Sequence, residues 1–188
     1  MLTDLCERET MSKLFIPVGS KDHIRGNHHA PVTLLEYGDY ECPYCGQAHN
    51  VVMALQAQLG DTVRFVFRNF PLTQIHPHAF NAALAAEAAA QQGKFWQMHD
   101  LLFENQDRLE DDHLVGYASL LRLDIDRFIE DFEMAEIEKR VRDDFLSGVK
   151  SGVNGTPTFF INGVRHDGSF QLPGLLAAVE RATRQVYL

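Results

Sequence analysis

The sequence predicts an α/β fold in which helices flank a central mixed β-sheet and an all-helical block is inserted into the chain. Three patterns support this prediction. A β-α-β pattern occupies residues 32–70, helical periodicity continues through residues 78–150, and a β-β-α pattern follows. The 188 residues are enough for one globular unit with a sizeable core.

The β-α-β unit is predicted from strand composition and from the chemistry of the helix start. Residues 32–37 are β-branched and apolar, and residues 62–70 alternate with aromatic side chains, so both are predicted strands. Between them, Pro43 suits the first position of a helix, where its missing N–H costs nothing. That helix is expected to begin at Cys42 and to end at Gly60.

The rest of the chain is predicted to be a helical block, a hairpin and a last helix. Asn162-Gly163 is a strong two-residue turn between short strands at residues 158–161 and 164–166. The predicted helices cover residues 79–91, 95–105, 112–121, 126–150 with breaks, and 172–184.

These elements set the predicted domain boundaries. The predicted segments are a lead-in over residues 1–31, which contains an edge strand near residues 14–18, an α/β domain over residues 32–76 and 151–188, and a helical insertion over residues 77–150. The insertion therefore separates the β-α-β unit from the hairpin that is expected to complete its sheet.

The overall charge argues against two classes of partner. The formal net charge is −9 and the isoelectric point is about 5.4, whereas binding of nucleic acid or of an anionic membrane needs clustered Lys and Arg. No stretch approaches the roughly 18 apolar residues of a membrane helix. Residues 1–13 lack the basic head and apolar run of a secretory signal. The sequence thus predicts no nucleic-acid or membrane partner and a cytoplasmic location, or a periplasmic or other extracytoplasmic one if a leader has been removed.

Cys42 and Cys45 form a C-x-x-C motif at the predicted start of a helix. A Cys42 sulfur at the N-cap faces the free N–H groups of Tyr44 and Cys45, and the positive end of the helix dipole also favours a thiolate. Cysteines so placed have pKa values of roughly 3.5 to 7.5 instead of about 8.5. Cys42 is therefore the predicted nucleophile, and Cys45 the resolving thiol that attacks a mixed disulfide.

A metal site is an alternative interpretation of the motif. A structural zinc ion normally has four ligands, and the sequence adds to the cysteine pair only His49, one turn onward, and the remote Cys6. His76, His78 and His99 offer further imidazoles, but their surroundings favour ordinary packing. No metal site is therefore predicted.

Several of these segments resemble the DsbA-like branch of the thioredoxin superfamily. The similarity covers roughly residues 30–184 and lies in the first strand, the Cys42-Pro43-Tyr44-Cys45 motif, the helical insertion and the segment Gly155-Thr156-Pro157-Thr158-Phe159. It implies a thioredoxin-like fold and thiol-disulfide oxidoreductase activity. It also implies that Thr156 and Pro157 form a cis-proline loop facing the cysteines, whose backbone pairs with an extended substrate.

The resemblance further implies a role for Glu36, which matches a buried acid that the family places beneath its active site. Such an acid relays the proton of Cys45, and a buried carboxyl has the raised pKa that this task requires. The dipeptide Pro43-Tyr44 departs from the strong oxidants of the family, which carry His at the position of Tyr44. This difference favours a milder, more reducing couple.

The predicted function is disulfide exchange with protein or small-molecule thiols and disulfides, together with an unidentified redox partner. The redox-active Cys42–Cys45 disulfide is the only redox group expected, without an organic cofactor, and the protein is expected to be a monomer or weak dimer. One alternative is a glutathione-dependent transferase or isomerase of the same fold, against which the intact Cys45 counts. Another is a non-catalytic redox-switched binding or chaperone module, which would hold its partner equally well with both cysteines changed to serine.

Overall fold

The computed structural model describes residues 12–186, which form a mixed five-stranded sheet packed against seven helices. The strands are β1 (His23–Arg25), β2 (Val32–Gly38), β3 (Val63–Asn69), β4 (Thr158–Ile161) and β5 (Val164–His166). The helices are α1 (Pro43–Leu59), α2 (Ala79–Ala90), α3 (Phe95–Glu104), α4 (Asp111–Leu120), α5 (Ile125–Phe132), α6 (Ala135–Lys150) and α7 (Leu172–Val186).

The strand order is β1-β3-β2-β4-β5, in which β2 and β3 are parallel and all other neighbours are antiparallel. The parallel pair is joined through α1, as the β-α-β pattern predicts. The Asn162-Gly163 turn joins β4 to β5, and Asn162 has the positive φ of 47° that such a turn requires. The predicted mixed sheet with flanking helices is confirmed.

The central strand β2 divides its side chains between two apolar clusters. Val32 and Leu34 belong to a large cluster shared with α1, α7 and the helical insertion, whereas Leu35 and Tyr37 belong to a smaller cluster. Because successive side chains of a strand point to opposite faces, Glu36 shares the face of Val32 and Leu34. Both motif cysteines belong to the large cluster as well, so the strand brings an acid to the cysteine side of the sheet.

Helix α1 begins as the sequence predicts. Cys42 is its N-cap, with extended backbone angles of φ −74° and ψ 121°, and Pro43 occupies the first helical position. The backbone N–H groups of Cys45 and Gly46 donate to the Cys42 carbonyl oxygen at 3.0 and 3.1 Å. Cys42 and Cys45 therefore lie one turn apart on the same side of α1, at the end where the unpaired N–H groups of the helix create a positive potential.

The edge strand predicted at residues 14–18 is wrong. The edge strand is β1, which pairs antiparallel with β3 from within residues 19–31, a segment that the sequence assigned to a connector. Residues 14–18 form no strand and begin beside the opposite edge of the sheet, at the β4–β5 hairpin, where the Leu14 N–H donates to the Gly163 carbonyl oxygen at 2.9 Å. Pro17 has no N–H to contribute to a strand ladder in this segment.

The helical insertion has the predicted order, and each predicted helix end lies within one residue of the observed one. The long stretch predicted from residue 126 to residue 150 divides into α5 and α6, which are separated by Glu133 and Met134. Asp124 caps α5 by accepting a hydrogen bond from the Arg127 N–H at 3.1 Å. Because α2 to α6 contribute to the same apolar cluster as β2 and β3, the insertion and the sheet share one core.

Candidate active site

The two motif cysteines differ in burial. Cys45 is completely buried, whereas Cys42 is 5% exposed, so Cys42 is the thiol that a reagent can reach first. Both thiols are free, and the Cys42 sulfur lies 3.4 Å from the Thr156 carbonyl oxygen, to which it donates a hydrogen bond when it is protonated. Burial thus distinguishes an outer thiol at the helix N-terminus from an inner thiol one turn further on.

The two thiols also differ in pKa, which is lowered for the outer thiol and raised for the inner thiol. The pKa of Cys42 is lowered to about 5, chiefly by a hydrogen bond from the Cys45 thiol, with help from Thr156 and from the backbone N–H groups of Cys45 and Tyr44. The pKa of Cys45 is raised well above its usual range, first by burial and then by Cys42 and Glu36. Cys42 is therefore a thiolate at neutral pH, and Cys45 keeps its proton.

Glu36 lies beneath the cysteine pair and is 1% exposed. Burial is the main cause that raises the pKa of Glu36 to about 8, the negative charge of Cys42 raises it further, and the Cys45 side chain acts in the opposite direction. Its Oε1 atom is buried without a hydrogen-bond partner within residues 12–186. The carboxyl group is thus a buried acid that can exchange a proton near neutral pH.

The loop before β4 faces the outer thiol. Its Thr156-Pro157 peptide bond is cis, and its Thr156 carbonyl oxygen is the acceptor for Cys42. The Thr158 hydroxyl donates to the Gly155 carbonyl oxygen at 2.7 Å, and Thr158 pairs with Tyr37 in the sheet. The sheet therefore holds the Thr156-Pro157 loop against the N-terminus of α1.

Tyr44, in the middle of the motif, projects into solvent and is 61% exposed. It contributes its backbone N–H to the Cys42 thiolate, but no side-chain hydrogen bond involves Tyr44 in the described part of the chain. Pro43 fixes the helix start next to it. The middle dipeptide thus presents an aromatic ring and a proline beside the outer sulfur.

Gln106, in the loop after α3, was missed by the sequence reasoning. Its Nε2 atom donates to the Tyr40 carbonyl oxygen at 2.8 Å and to the Cys42 carbonyl oxygen at 2.9 Å. Gly46 leaves room for it, because a Cβ atom at Gly46 would collide with Oε1 of Gln106. A residue of the helical insertion therefore holds the backbone of the outer cysteine, and nothing in the local sequence signals this contact.

Asp39 was also missed, although it lies only three residues before Cys42. Its carboxylate is completely buried and accepts hydrogen bonds from the backbone N–H groups of Glu41 and Leu72, each at 2.8 Å. Nδ1 of His76 lies 2.8 Å from the same carboxylate. The loop before α1 is thereby tied to the loop between β3 and α2.

One group of side chains in the described residues could share a metal ion, and it consists of His49, His99 and Asp100. Neither motif cysteine belongs to this group. The Asp100 carboxylate is occupied by the Arg25 guanidinium, at 2.7 and 2.8 Å. His99 Nδ1 lies 3.1 Å from the Tyr40 hydroxyl, so it is part of the packed interior. Cys6 lies outside the described residues.

The sheet, the C-x-x-C motif at a helix N-terminus and the facing cis-proline loop define a protein of the thioredoxin fold. A family model described as Thioredoxin matches residues 19–181. The chain belongs to this family, and its strong structural neighbours are DsbA-like thiol-disulfide oxidoreductases.

Two solved structures illustrate this similarity. A thioredoxin-like oxidoreductase from Silicibacter pomeroyi superposes with a TM-score of 0.79 at 30% sequence identity, covering 88% of this chain and 94% of the other. α-DsbA1 from Wolbachia pipientis superposes with the same TM-score at 24% identity, covering 93% of this chain and 96% of that protein. The second likeness supports the fold, including the helical insertion.

The chain also matches curated relatives that are much longer than itself. The Na⁺/H⁺ antiporter NhaA 1 of Salinispora arenicola is 49% identical over 175 residues, which are 93% of this chain but 27% of the antiporter. The chain thus spans about a quarter of the length of the curated relatives it matches. In the described residues, no helix has both the length and the apolar character needed to cross a membrane.

Proposed function

We propose that this protein catalyses thiol-disulfide exchange with protein or small-molecule thiols and disulfides. The pairing of a low-pKa outer thiol, Cys42, with a protonated inner thiol, Cys45, carries the proposal. Cys42 thiolate attacks a substrate disulfide, forms a mixed disulfide and displaces one substrate thiolate. Cys45 then attacks the Cys42 sulfur, which closes the Cys42–Cys45 disulfide and releases the second substrate thiolate. No organic cofactor enters either step.

Glu36 serves the second step. While Cys42 is a thiolate, its charge helps to keep the pKa of Glu36 at about 8, so the carboxyl holds its proton at neutral pH. In the mixed disulfide Cys42 carries no charge, and this contribution to the raised pKa of Glu36 disappears. Glu36 then loses its own proton more readily, and the resulting carboxylate can accept the Cys45 proton when that proton must leave.

The Glu36→Gln variant tests this role. Glutamine keeps the shape of the side chain but accepts no proton, so we expect Cys45 to resolve the mixed disulfide about 10-fold more slowly or worse at pH 7. Attack by Cys42 should change much less. Both rates can be measured by quenching single turnovers with acid and separating the mixed disulfide by mass. Resolution at the original rate or faster would mean that Glu36 acts only as a negative charge.

The Thr156-Pro157 loop is proposed to position the substrate. Its backbone lies against Cys42, and an extended peptide can pair with such a loop by adding a strand. Tyr44 offers an exposed ring beside the sulfur for apolar contact with that peptide. These features favour extended protein substrates over small thiols alone.

The geometry also favours an oxidising couple, in contrast to the milder couple that Tyr44 indicated in the sequence. The Cys42 thiolate needs no imidazolium neighbour, because Cys45, Thr156 and two backbone N–H groups stabilise it. A stabilised thiolate favours the reduced form, so the oxidised form readily gives up its disulfide, and with substrate thiols the two exchange steps described above run in reverse.

The reduction potential tests the proposed function and its direction together. We expect the Cys42–Cys45 couple, equilibrated with glutathione and trapped with acid, to lie nearer to about −120 mV, the value of DsbA, than to about −270 mV, the value of thioredoxin. A potential near −270 mV would contradict the oxidising direction. Failure to form any intramolecular disulfide would contradict the dithiol mechanism itself.

A second candidate function is a redox-responsive module of a membrane transporter. The observation that favours it is the similarity to chains named Na⁺/H⁺ antiporters, in which the matching region is only 27% of the length. In this role the disulfide would change how the domain contacts a transport domain, without repeated turnover on other substrates. A protein with both motif cysteines changed to serine would then still bind its partner, whereas the enzyme would lose all exchange.

A further inference from the structure

Asp39 connects the two cysteines through its backbone. Its N–H group donates to the Cys45 sulfur at 3.4 Å, and its carbonyl oxygen accepts a hydrogen bond from the Cys42 N–H at 3.2 Å. A backbone N–H aimed at a sulfur stabilises the thiolate more than the thiol, since a hydrogen bond to a charged acceptor is the stronger one. The position of this one amide therefore affects how easily Cys45 loses its proton.

The Asp39 side chain fixes that amide. Three N–H donors, two from the backbone and one from the His76 ring, surround the completely buried carboxylate. These donors come from the loop of Asp39 itself and from the loop after β3, so the carboxylate joins two otherwise irregular segments. A second contact supports the junction, because the His78 N–H donates to Oε2 of Glu41 at 2.7 Å.

We propose that the Asp39–His76 pair is a positioning unit for the resolving thiol, which holds the Asp39 amide against the Cys45 sulfur while Cys45 attacks the mixed disulfide. In this step the Cys45 thiolate forms a bond to the Cys42 sulfur, and the Cys42–substrate bond breaks. The substrate sulfur leaves with the electron pair of that bond. The inference rests on the proposed dithiol function and assigns to Asp39 and His76 a role in its second half.

The negative charge of Asp39 and its role in positioning the backbone amide predict opposite effects of an Asp39 variant on the rate of resolution by Cys45. A negative charge near Cys45 opposes the thiolate, so removing it would speed up resolution if charge were the only effect. Loss of the positioned amide would instead slow resolution. The other ionisable groups that act on Cys45 are Glu36 and Cys42, and these stay in place in any variant of Asp39.

The test uses 5,5′-dithiobis(2-nitrobenzoate) as substrate, in a Cys6→Ser background so that only the motif thiols react. The first release of thionitrobenzoate reports attack by Cys42, and the second release reports resolution by Cys45. We expect Asp39→Ala to slow the second phase about 10-fold, as loss of a hydrogen bond to a charged group implies. The first phase should change by less than about 2-fold, because the side-chain and helix donors of Cys42 remain.

Three further variants distinguish the loss of the positioned amide from the loss of the Asp39 charge and from a loss of folding stability. Asp39→Asn loses the charge but keeps an acceptor oxygen, so it should recover part of the rate that Asp39→Ala loses. If Asp39→Ala does not fold, His76→Ala, which removes one of three donors, should still slow the second phase by about 3-fold. His113→Ala is the control, because the exposed His113 lies 2.8 Å from Glu110 in a similar pair that is remote in sequence from the motif.

The pH profile of the second phase distinguishes positioning from a merely structural role. Loss of the amide contact should move the midpoint of this profile upward by about one pH unit, which corresponds to the 10-fold change in rate at neutral pH. A lower melting temperature with an unmoved midpoint would overturn the inference, as would a faster second phase. If the unaltered protein itself shows only one phase, the dithiol function fails instead.

Discussion

Changing Cys42 to serine should abolish disulfide exchange, whereas changing Cys45 to serine should leave a protein that attacks once and stays joined to its substrate. Cys42 is the outer thiol with a pKa of about 5, so it supplies the nucleophile, and serine at this position stays protonated. Removing a nucleophile typically lowers turnover by roughly three orders of magnitude or more. Without Cys45, nothing inside the protein attacks the mixed disulfide.

The measurement is reduction of a disulfide-containing model protein, followed on non-reducing gels and by mass. Cys42→Ser should give no adduct, and Cys45→Ser should accumulate a one-to-one adduct that a free thiol reverses. Cys6→Ser serves as the matched control and should leave turnover intact. Turnover by Cys45→Ser with glutathione at the rate of the unaltered protein would point instead to a one-cysteine, glutathione-type chemistry, the transferase alternative considered from the sequence.

Reduced protein should melt at a higher temperature than oxidised protein above neutral pH, and this difference should shrink as the pH falls. The folded chain lowers the pKa of Cys42 from 9.0 to about 5. A lowered pKa contributes stability that is fully present above pH 9 and is lost as the pH falls through 5. The oxidised form has no thiolate and therefore lacks this contribution.

The difference in melting temperature between the reduced and the oxidised protein is expected to fall by roughly 5 °C from pH 8 to pH 4, with an allowance for solvent screening of the Cys42 thiolate. Calorimetry of the two forms across this range measures it. Asp144, whose pKa burial raises to about 7, titrates in both forms and so cancels in the comparison, whereas Glu36, whose raised pKa depends in part on the Cys42 charge, offsets part of the difference. A difference that does not depend on pH would show that the folded protein does not stabilise the Cys42 thiolate.

The outer framework of the site could be predicted because it depends on neighbours in sequence. A proline at the first helical position, a C-x-x-C motif around it and a hydrophobic strand before it are all local features of residues 32–59. The hairpin turn at Asn162-Gly163 is equally local. Strand β1 could not be predicted in this way, because His23-Ile24-Arg25 carries one apolar residue and is held by contacts distant in sequence, which are its ladder to β3, the His23–Glu87 pair and the Arg25–Asp100 pair.

The side chains that hold the backbone around the two cysteines make contacts between residues far apart in sequence, and no local sequence pattern predicts such contacts. Gln106 reaches Cys42 across 64 positions, and His76 reaches Asp39 across 37. His76 was expected to be a packing residue because Ile75-His76-Pro77-His78 has the pattern of a loop that leads into a helix N-terminus. Its partner, Asp39, becomes recognisable only when burial shows a carboxylate surrounded by three donors.

The hydrogen bond from Gln106 to the Cys42 carbonyl oxygen connects the loop after α3, in the insertion, directly to the backbone of the nucleophile. A shift of the insertion by even one ångström would change the first turn of α1, and with it the alignment of the N–H groups that face the sulfur. A thioredoxin core without the insertion would lose these hydrogen bonds, which would leave the Tyr40 carbonyl oxygen in need of a new donor and the Cys42 carbonyl oxygen with only its two helical donors. The insertion is therefore a structural part of the reactive centre, because one of its side chains holds the backbone of Cys42.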